Sequence, residues 1–271
     1  LRDRIRARLR DGVDRDRHRV EIADAVAVEI VLHVAHQAQR ELGGEDAGVL
    51  RLVLLEDVGL HGAAHHLERR GLDAFVDVPR DDLIAGYDAI RKRVNPQLPQ
   101  LFEILPKADY EVRAVEPFRE KSAAGGQYQA ANEDGTRPGI FYANAYDLRA
   151  RPKWAMEALS LHEANPGHHF QISIQREQQG LPKFRRFGGY TAFSEGWALY
   201  AESLGQALGM YTDPYQYFGR LEGELWRAIR LVVDTGLHSK GWTREQVLEY
   251  MDANSSAAEA RRVSEAERYM A

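Results

Sequence analysis

Apolar positions recur at helical spacing through most of the chain beyond residue 80. Leu83, Tyr87, Ile90 and Val94 share one face of the run Asp82–Val94, which predicts an amphipathic helix, and Pro96 and Pro99 end it. Tyr110–Val115 alternates apolar and polar residues and predicts a strand. Ala123–Gly126 reads as a small, flexible loop, Gln127–Ala130 as a short strand, and Ile140–Asn144 as another. Between those two strands stand the turn signals Asn132-Glu133-Asp134-Gly135 and Thr136-Arg137-Pro138-Gly139. Trp154–Glu163 predicts a helix with Trp154, Ala158 and Leu161 toward a core. A later helix carries a continuous apolar stripe, Phe193, Trp197, Tyr200, Leu204 and Leu208. Pro214–His238 predicts a long helix burying Phe218, Leu221, Leu225, Ile229 and Val232. Thr243-Arg244-Glu245-Gln246 has the form of a capping box that opens a helix through Val247, Tyr250 and Met251. The fold class is mainly α with a small β-sheet.

The first 81 residues follow a different pattern. Of 25 aromatic residues only Phe75 precedes Tyr87, where an even spread would put about eight. Six of the ten histidines lie there: His18, His33, His36, His61, His65 and His66. Ile22–Ala35 is apolar enough for a helix or a strand. His65 and His66 have no carboxylate at a distinctive ligand spacing and read as solvated surface residues. A frameshifted or misassigned start in a GC-rich gene yields such a composition. We therefore divide the chain into residues 1–81, of doubtful origin, and residues 82–271, the globular body.

Composition narrows the chemistry. There is no cysteine, which excludes disulfides, thiolate metal sites and cysteine nucleophiles, so any metal must sit on histidines and carboxylates. A net charge of −5 gives no electrostatic case for nucleic acid or an anionic membrane. No apolar run approaches the ~20 residues that span a bilayer, and no signal peptide is visible. A cytoplasmic location is the expectation.

The chemistry concentrates in His162-Glu163-Ala164-Asn165-Pro166-Gly167-His168-His169. In the simplest zinc helix two histidines four apart project from one face, and the glutamate between them takes a proton from water at the metal. Here the next histidines stand six and seven positions on. On an unbroken helix His168 would point ~240° away from His162, and His169 would lie ~10 Å farther along the axis. Pro166 cannot donate to the carbonyl of His162 and its ring clashes there, so the helix must break or bulge. Gly167 permits an unusual turn, and an interrupted helix can bring either later histidine back to a metal. Glu195 lies ~200° around its helix from Phe193 and is a candidate third ligand, with Glu202 two turns on along the same face, a candidate support behind the ligands or, as the plainer reading, a surface residue. Arg230, Asp234 and His238 lie four apart on one polar stripe. Asp234 could orient His238, and His238 or Arg230 could stabilise an oxyanion; the plainer alternative is an ion-pair ladder.

The His162–Gln171 stretch resembles the H-E-x-x-P-G-H-H-x-Q signature of a bacterial domain-of-unknown-function family. That family is similar to the gluzincin metallopeptidases, distantly to carboxypeptidase Taq and angiotensin-converting enzyme. Arg137–Asn144, Glu195–Glu202 and Arg230–Trp242 also resemble family segments, so the likeness covers roughly Asp82 to Tyr269. It implies a zincin-like helical domain binding Zn2+ through His162, one histidine of the pair (taken as His168) and Glu195. Glu163 would be the general base and His238, with Arg230 and Asp234, would serve the transition state. The strand at Tyr142 and Asn144 would bind an extended peptide. The first ~80 residues do not resemble the family's helical N-terminal region, and the chain stops where the family usually continues, so both flanks of the cleft are expected to be incomplete. The implied activity is zinc-dependent hydrolysis of a peptide or small amide substrate. The alternatives are an inactive or structural remnant of such an enzyme and a zinc hydrolase of non-peptide amides.

Overall fold

The computed structural model describes residues 80–271 apart from 134, 135, 147, 149–151, 256, 258 and 271. The Ile22–Ala35 run and the His65–His66 pair lie outside the described residues. Those described are mainly helical with one three-stranded sheet. They fall into two compact units, the first ending at Arg220 and the second beginning at Leu221.

In the first unit, α1 (Arg80–Val94) buries Leu83, Tyr87, Ile90 and Val94, the face that the periodicity predicts, and passes into a 3-10 turn, Asn95–Gln100. Strands β1 (Tyr110–Ala114), β2 (Gly126–Gln129) and β3 (Gly139–Ala143) form a sheet of order β1-β3-β2. β3 is parallel to β1 and antiparallel to β2. Being central, β3 is buried at all five positions rather than alternating, as a strand covered on both faces must be. Phe141 on β3 meets Tyr87 of α1 edge-on at 4.9 Å, and each such buried side chain contributes ~1.5–3 kcal/mol.

The chain then runs through α2 (Met156–Glu163), α3 (His168–Glu177), α4 (Lys183–Phe187) and α5 (Thr191–Ser203). α2 packs on α1 and α5, while β2 lies against both α2 and α3. The apolar stripe of α5 does not become its buried face. Phe193 and Tyr200 are 57% and 54% exposed, whereas Ala198, Ala201 and Glu202 are buried.

Helix α6 (Pro214–Lys240) runs from the first unit into the second. In the second unit its Leu225, Trp226, Ile229 and Val233 pack with Val247 and Met251 of α7 (Arg244–Asn254) and Ala266 of α8 (Glu259–Met270). The capping box is present: the Thr243 hydroxyl accepts from the Gln246 amide, and the Gln246 side chain accepts from the Thr243 amide. Trp242 lies over Gly236, where a Cβ would overlap its ring. Among the described residues no helix is long and apolar enough to cross a membrane.

Candidate metal centre

The centre is built on a helix that stops and restarts. α2 ends at Glu163, Ala164 leaves the helical region (φ −110, ψ −117), and α3 begins at His168. Gly167 has φ −79 and ψ −126, outside the helical and extended regions. Glycine is needed there, since a Cβ would overlap the carbonyl oxygens of Leu161 and His162. The turn is pinned from two sides. Trp197 of α5 donates its indole N–H to the Pro166 carbonyl at 2.8 Å, and the Asn165 amide nitrogen donates to Asn95 Oδ1 at 2.9 Å.

This break brings His162 at the end of α2 and His168 at the start of α3 together, their ring centroids 4.7 Å apart, opposite Glu195 of α5. His162 Nε2 lies 3.4 Å from one Glu195 oxygen and His168 Nε2 lies 3.5 Å from the other. One ligand atom from each of the three residues falls within 4.8 Å of the others. Ligand atoms at ~2.0–2.1 Å around a tetrahedral zinc would stand ~3.3–3.4 Å apart, so the cluster fits such an ion. Hydrogen bonding from the His162 ring, then from His168, holds the Glu195 carboxylate well below the ordinary range despite partial burial. The two histidines are buried while the Glu195 side chain is 58% exposed, so the cluster is open on the glutamate side.

Behind His162 stands Glu202. Its carboxylate is 2.8 Å from His162 Nδ1, and the residue is 2% exposed rather than at the surface as expected. If Nδ1–H is donated to Glu202, Nε2 is the ring nitrogen left to offer a lone pair to a metal; a carboxylate behind a metal-bound histidine fixes tautomer and ring orientation in this way. Glu202 is itself buttressed. The Tyr211 hydroxyl donates to the Glu202 carbonyl at 2.9 Å, and the Tyr211 amide donates to buried Glu157 at 2.6 Å. Tyr211 has φ 59, a conformation uncommon for a residue with a side chain.

His169 takes the opposite direction. It is 1% exposed, accepts from the Tyr128 hydroxyl at 2.9 Å through Nδ1, and stacks beside Tyr110. Burial pushes its pKa down to about 4. His168 is thus the member of the pair that joins the cluster.

Glu163 is buried next to His162. Its side chain lies against Gly126 at the start of β2, where a Cβ would stand 3.1 Å from both Cγ and Oε1. Gly126, read as part of a flexible loop, therefore begins a strand and makes room for Glu163. The doublet Gly125-Gly126 was the available signal. For Glu202 it was the seven-residue spacing from Glu195, two helical turns on one face.

Two expectations need correction. A peptide cannot add to the strand at Tyr142 and Asn144, because β3 is paired on both edges. The Asn144 side chain instead donates to the Glu120 and Ala123 carbonyls at 2.7 and 2.9 Å, and Tyr142 lies beneath the Arg119 guanidinium. The outer edge of β2 has no strand partner among the described residues. On α6, Arg230 pairs with Glu265 of α8 at 2.8 Å rather than forming a ladder with Asp234. Asp234 and His238 face each other at 3.7 Å, both more than half exposed.

The fold and cluster define a mainly helical protein with a His–His–Glu group able to hold a metal ion. More particularly, the chain belongs to the family of bacterial proteins of unknown function DUF885, whose model matches residues 29–271. The match takes in residues 29–81, well before Asp82. A solved structure described as a "putative lipoprotein" from Colwellia psychrerythraea is similar at 35% identity and TM-score 0.80, covering 93% of this chain and 42% of its own. Another, a "putative lipoprotein of unknown function" from Shewanella oneidensis, shares the fold at 18% identity and TM-score 0.60, covering 93% of this chain and 46% of its own. The chain thus spans less than half the length of these solved relatives. No curated protein matches it.

Proposed function

We propose that this chain is part of a zinc-dependent hydrolase of peptide amide bonds with a zincin-like catalytic arrangement. The observation that carries the reading is the convergence of His162, His168 and Glu195, with Glu202 bonded behind His162. Two imidazoles and a carboxylate with an open side are the donor set of a catalytic rather than a structural zinc. Bound zinc would supply a Lewis acid that polarises the substrate carbonyl and makes water more acidic.

The remaining work falls to the protein. His162 and His168 would hold the ion through Nε2, and Glu202 would keep His162 in the required tautomer. Glu163 would take a proton from the attacking water on its carboxylate and pass it to the leaving amine. The free edge of β2, which starts beside Glu163, offers backbone donors and acceptors to an extended peptide. That edge is why a peptide is favoured over a small amide.

Glu163→Gln keeps the shape and removes the base. Zinc content should be unchanged and hydrolysis of a peptide substrate should fall ~10²-fold or more; a variant that still turns over would overturn the assignment. A second reading, a metal-binding portion without turnover of its own, draws on the chain's spanning under half of its solved relatives. Zinc bound by wild-type protein that cleaves no peptide would select it.

A further inference from the structure

We propose that the cleft beyond the end of β2 is a carboxylate-binding subsite, which takes the charged group of a peptide laid along that strand. The peptide rests on the hydrolase reading above; the charge preference rests on the cleft.

The cleft has a volume of about 760 Å³ and is lined by Gln129 to Glu133 with Arg137 and Arg176. Its two guanidinium groups are fixed by neutral acceptors. Arg137 donates to the Asn132 side chain at 3.2 Å and to the Pro138 and Ala130 carbonyls at 3.2 and 2.6 Å. Arg176 donates to the Ala131 carbonyl at 2.8 Å and lies over the Phe187 ring. Among the described residues neither faces a carboxylate. The acid in the cleft, Glu133, is 3.7 Å from a third arginine, Arg186. Among the described residues, two positive charges are therefore held in place with no carboxylate bonded to either guanidinium. A guanidinium carries five N–H donors, so Arg176 in particular keeps donors for a ligand. Because both side chains are already ordered, a bound anion costs little further side-chain entropy.

Position relative to the metal centre follows from two rulers. Gly126 sits beside Glu163, and Ala130 is four residues along an extended chain, ~13 Å away. His168 and Arg176 are eight residues apart on α3, ~12 Å. Both put the cleft three to four peptide residues from the bond to be cut. The arginines also close the strand edge, since the Ala130 and Ala131 carbonyls are taken by their guanidiniums. A peptide paired with β2 would run out of backbone partners there and meet positive charge. A C-terminal carboxylate and an acidic side chain share the required chemistry, and the direction of the peptide decides between them.

Titration calorimetry on the full chain tests this with acetylated hexapeptides built on one uncharged sequence, in three forms. One ends in an amide, one in a free carboxylate, and one ends in an amide with a single internal glutamate placed at each position in turn. A charged form should bind about tenfold tighter than the neutral amide at low salt. Arg176→Gln should abolish that difference, and Arg176→Lys should restore part of it. Tighter binding of the free acid identifies the terminus, and tighter binding of one glutamate isomer identifies a side chain. Equal binding of all three forms by wild-type protein, or a preference that survives in Arg176→Gln, overturns the subsite. Turnover is read separately. A charge preference without hydrolysis would refute the hydrolase and keep the subsite, and hydrolysis without a charge preference would do the reverse.

Discussion

Helices α5 and α6 carry the same kind of apolar stripe in sequence and use it in opposite ways. On α6 the stripe is the buried face: Leu221, Leu225, Ile229 and Val232 are all 6% exposed or less. On α5 the bulky stripe is largely exposed, and the buried face is Ala198, Ala201 and Glu202. The reason is what each helix packs against. α5 lies against α2 and α3, whose facing residues are the metal-centre histidines. Small side chains there let the helices approach, and carboxylates turn inward to reach His162 and His168. A stripe read from periodicity locates a core only where the core is apolar; where the buried surface is a polar site, the rule reverses.

The sharpest way to break this comparison is to truncate both stripes. Ile229→Ala, on the α6 stripe within the α6–α7–α8 core, should cost ~2–5 kcal/mol, read as a large fall in Tm. Phe193→Ala on α5 should change stability by no more than ~0.5 kcal/mol. Equal losses would mean that the α5 stripe is a core face after all.

Glu202→Gln probes the polar side of α5. The amide keeps the volume but weakens the hold on His162, and zinc affinity should fall ~10–100-fold while Phe193→Ala leaves it unchanged. An unaltered dissociation constant would return Glu202 to a structural role.

The smallest effect concerns the second unit and pH. Burial alone would raise the pKa of Glu265, but Arg230 and Arg268 outweigh it and hold the carboxyl below its ordinary value. A group depressed in the folded state stabilises above its unfolded pKa, and that stability is lost as pH falls through the folded pKa. Acidification from about pH 5 should therefore destabilise the chain by roughly 1 kcal/mol or less through this pair. Glu265→Gln should flatten that part of the profile, and an unchanged profile would assign the pH dependence elsewhere.

Much of the fold was legible. The buried face of α1, all three strands to within a residue or two, and the capping box at Thr243 follow from local pattern. The break at Pro166-Gly167 was legible too, although the close backbone approach that requires the glycine was not. Helix α8 was not read, although Ala266 and Tyr269, three apart within its charged sequence, mark the face that meets the α6–α7 core. Sheet order was hidden as well. Nothing in Gly139–Ala143 says that it is the central strand, so peptide binding was expected on a strand that is paired on both edges. Glu202 stood between a supporting role and the surface, and Gly126 escaped, because each matters only through a neighbour distant in sequence, His162 and Glu163 respectively.

The central claim is that the polar face of α5 completes a metal centre with His162 and His168. Elemental analysis and zinc titration of the full chain, alongside His162→Ala, Glu195→Ala and His169→Phe, test it most directly. The account predicts about one zinc per chain, lost in His162→Ala, weakened in Glu195→Ala and retained in His169→Phe. A folded chain that binds no zinc, or one that keeps its zinc in His162→Ala, would contradict it.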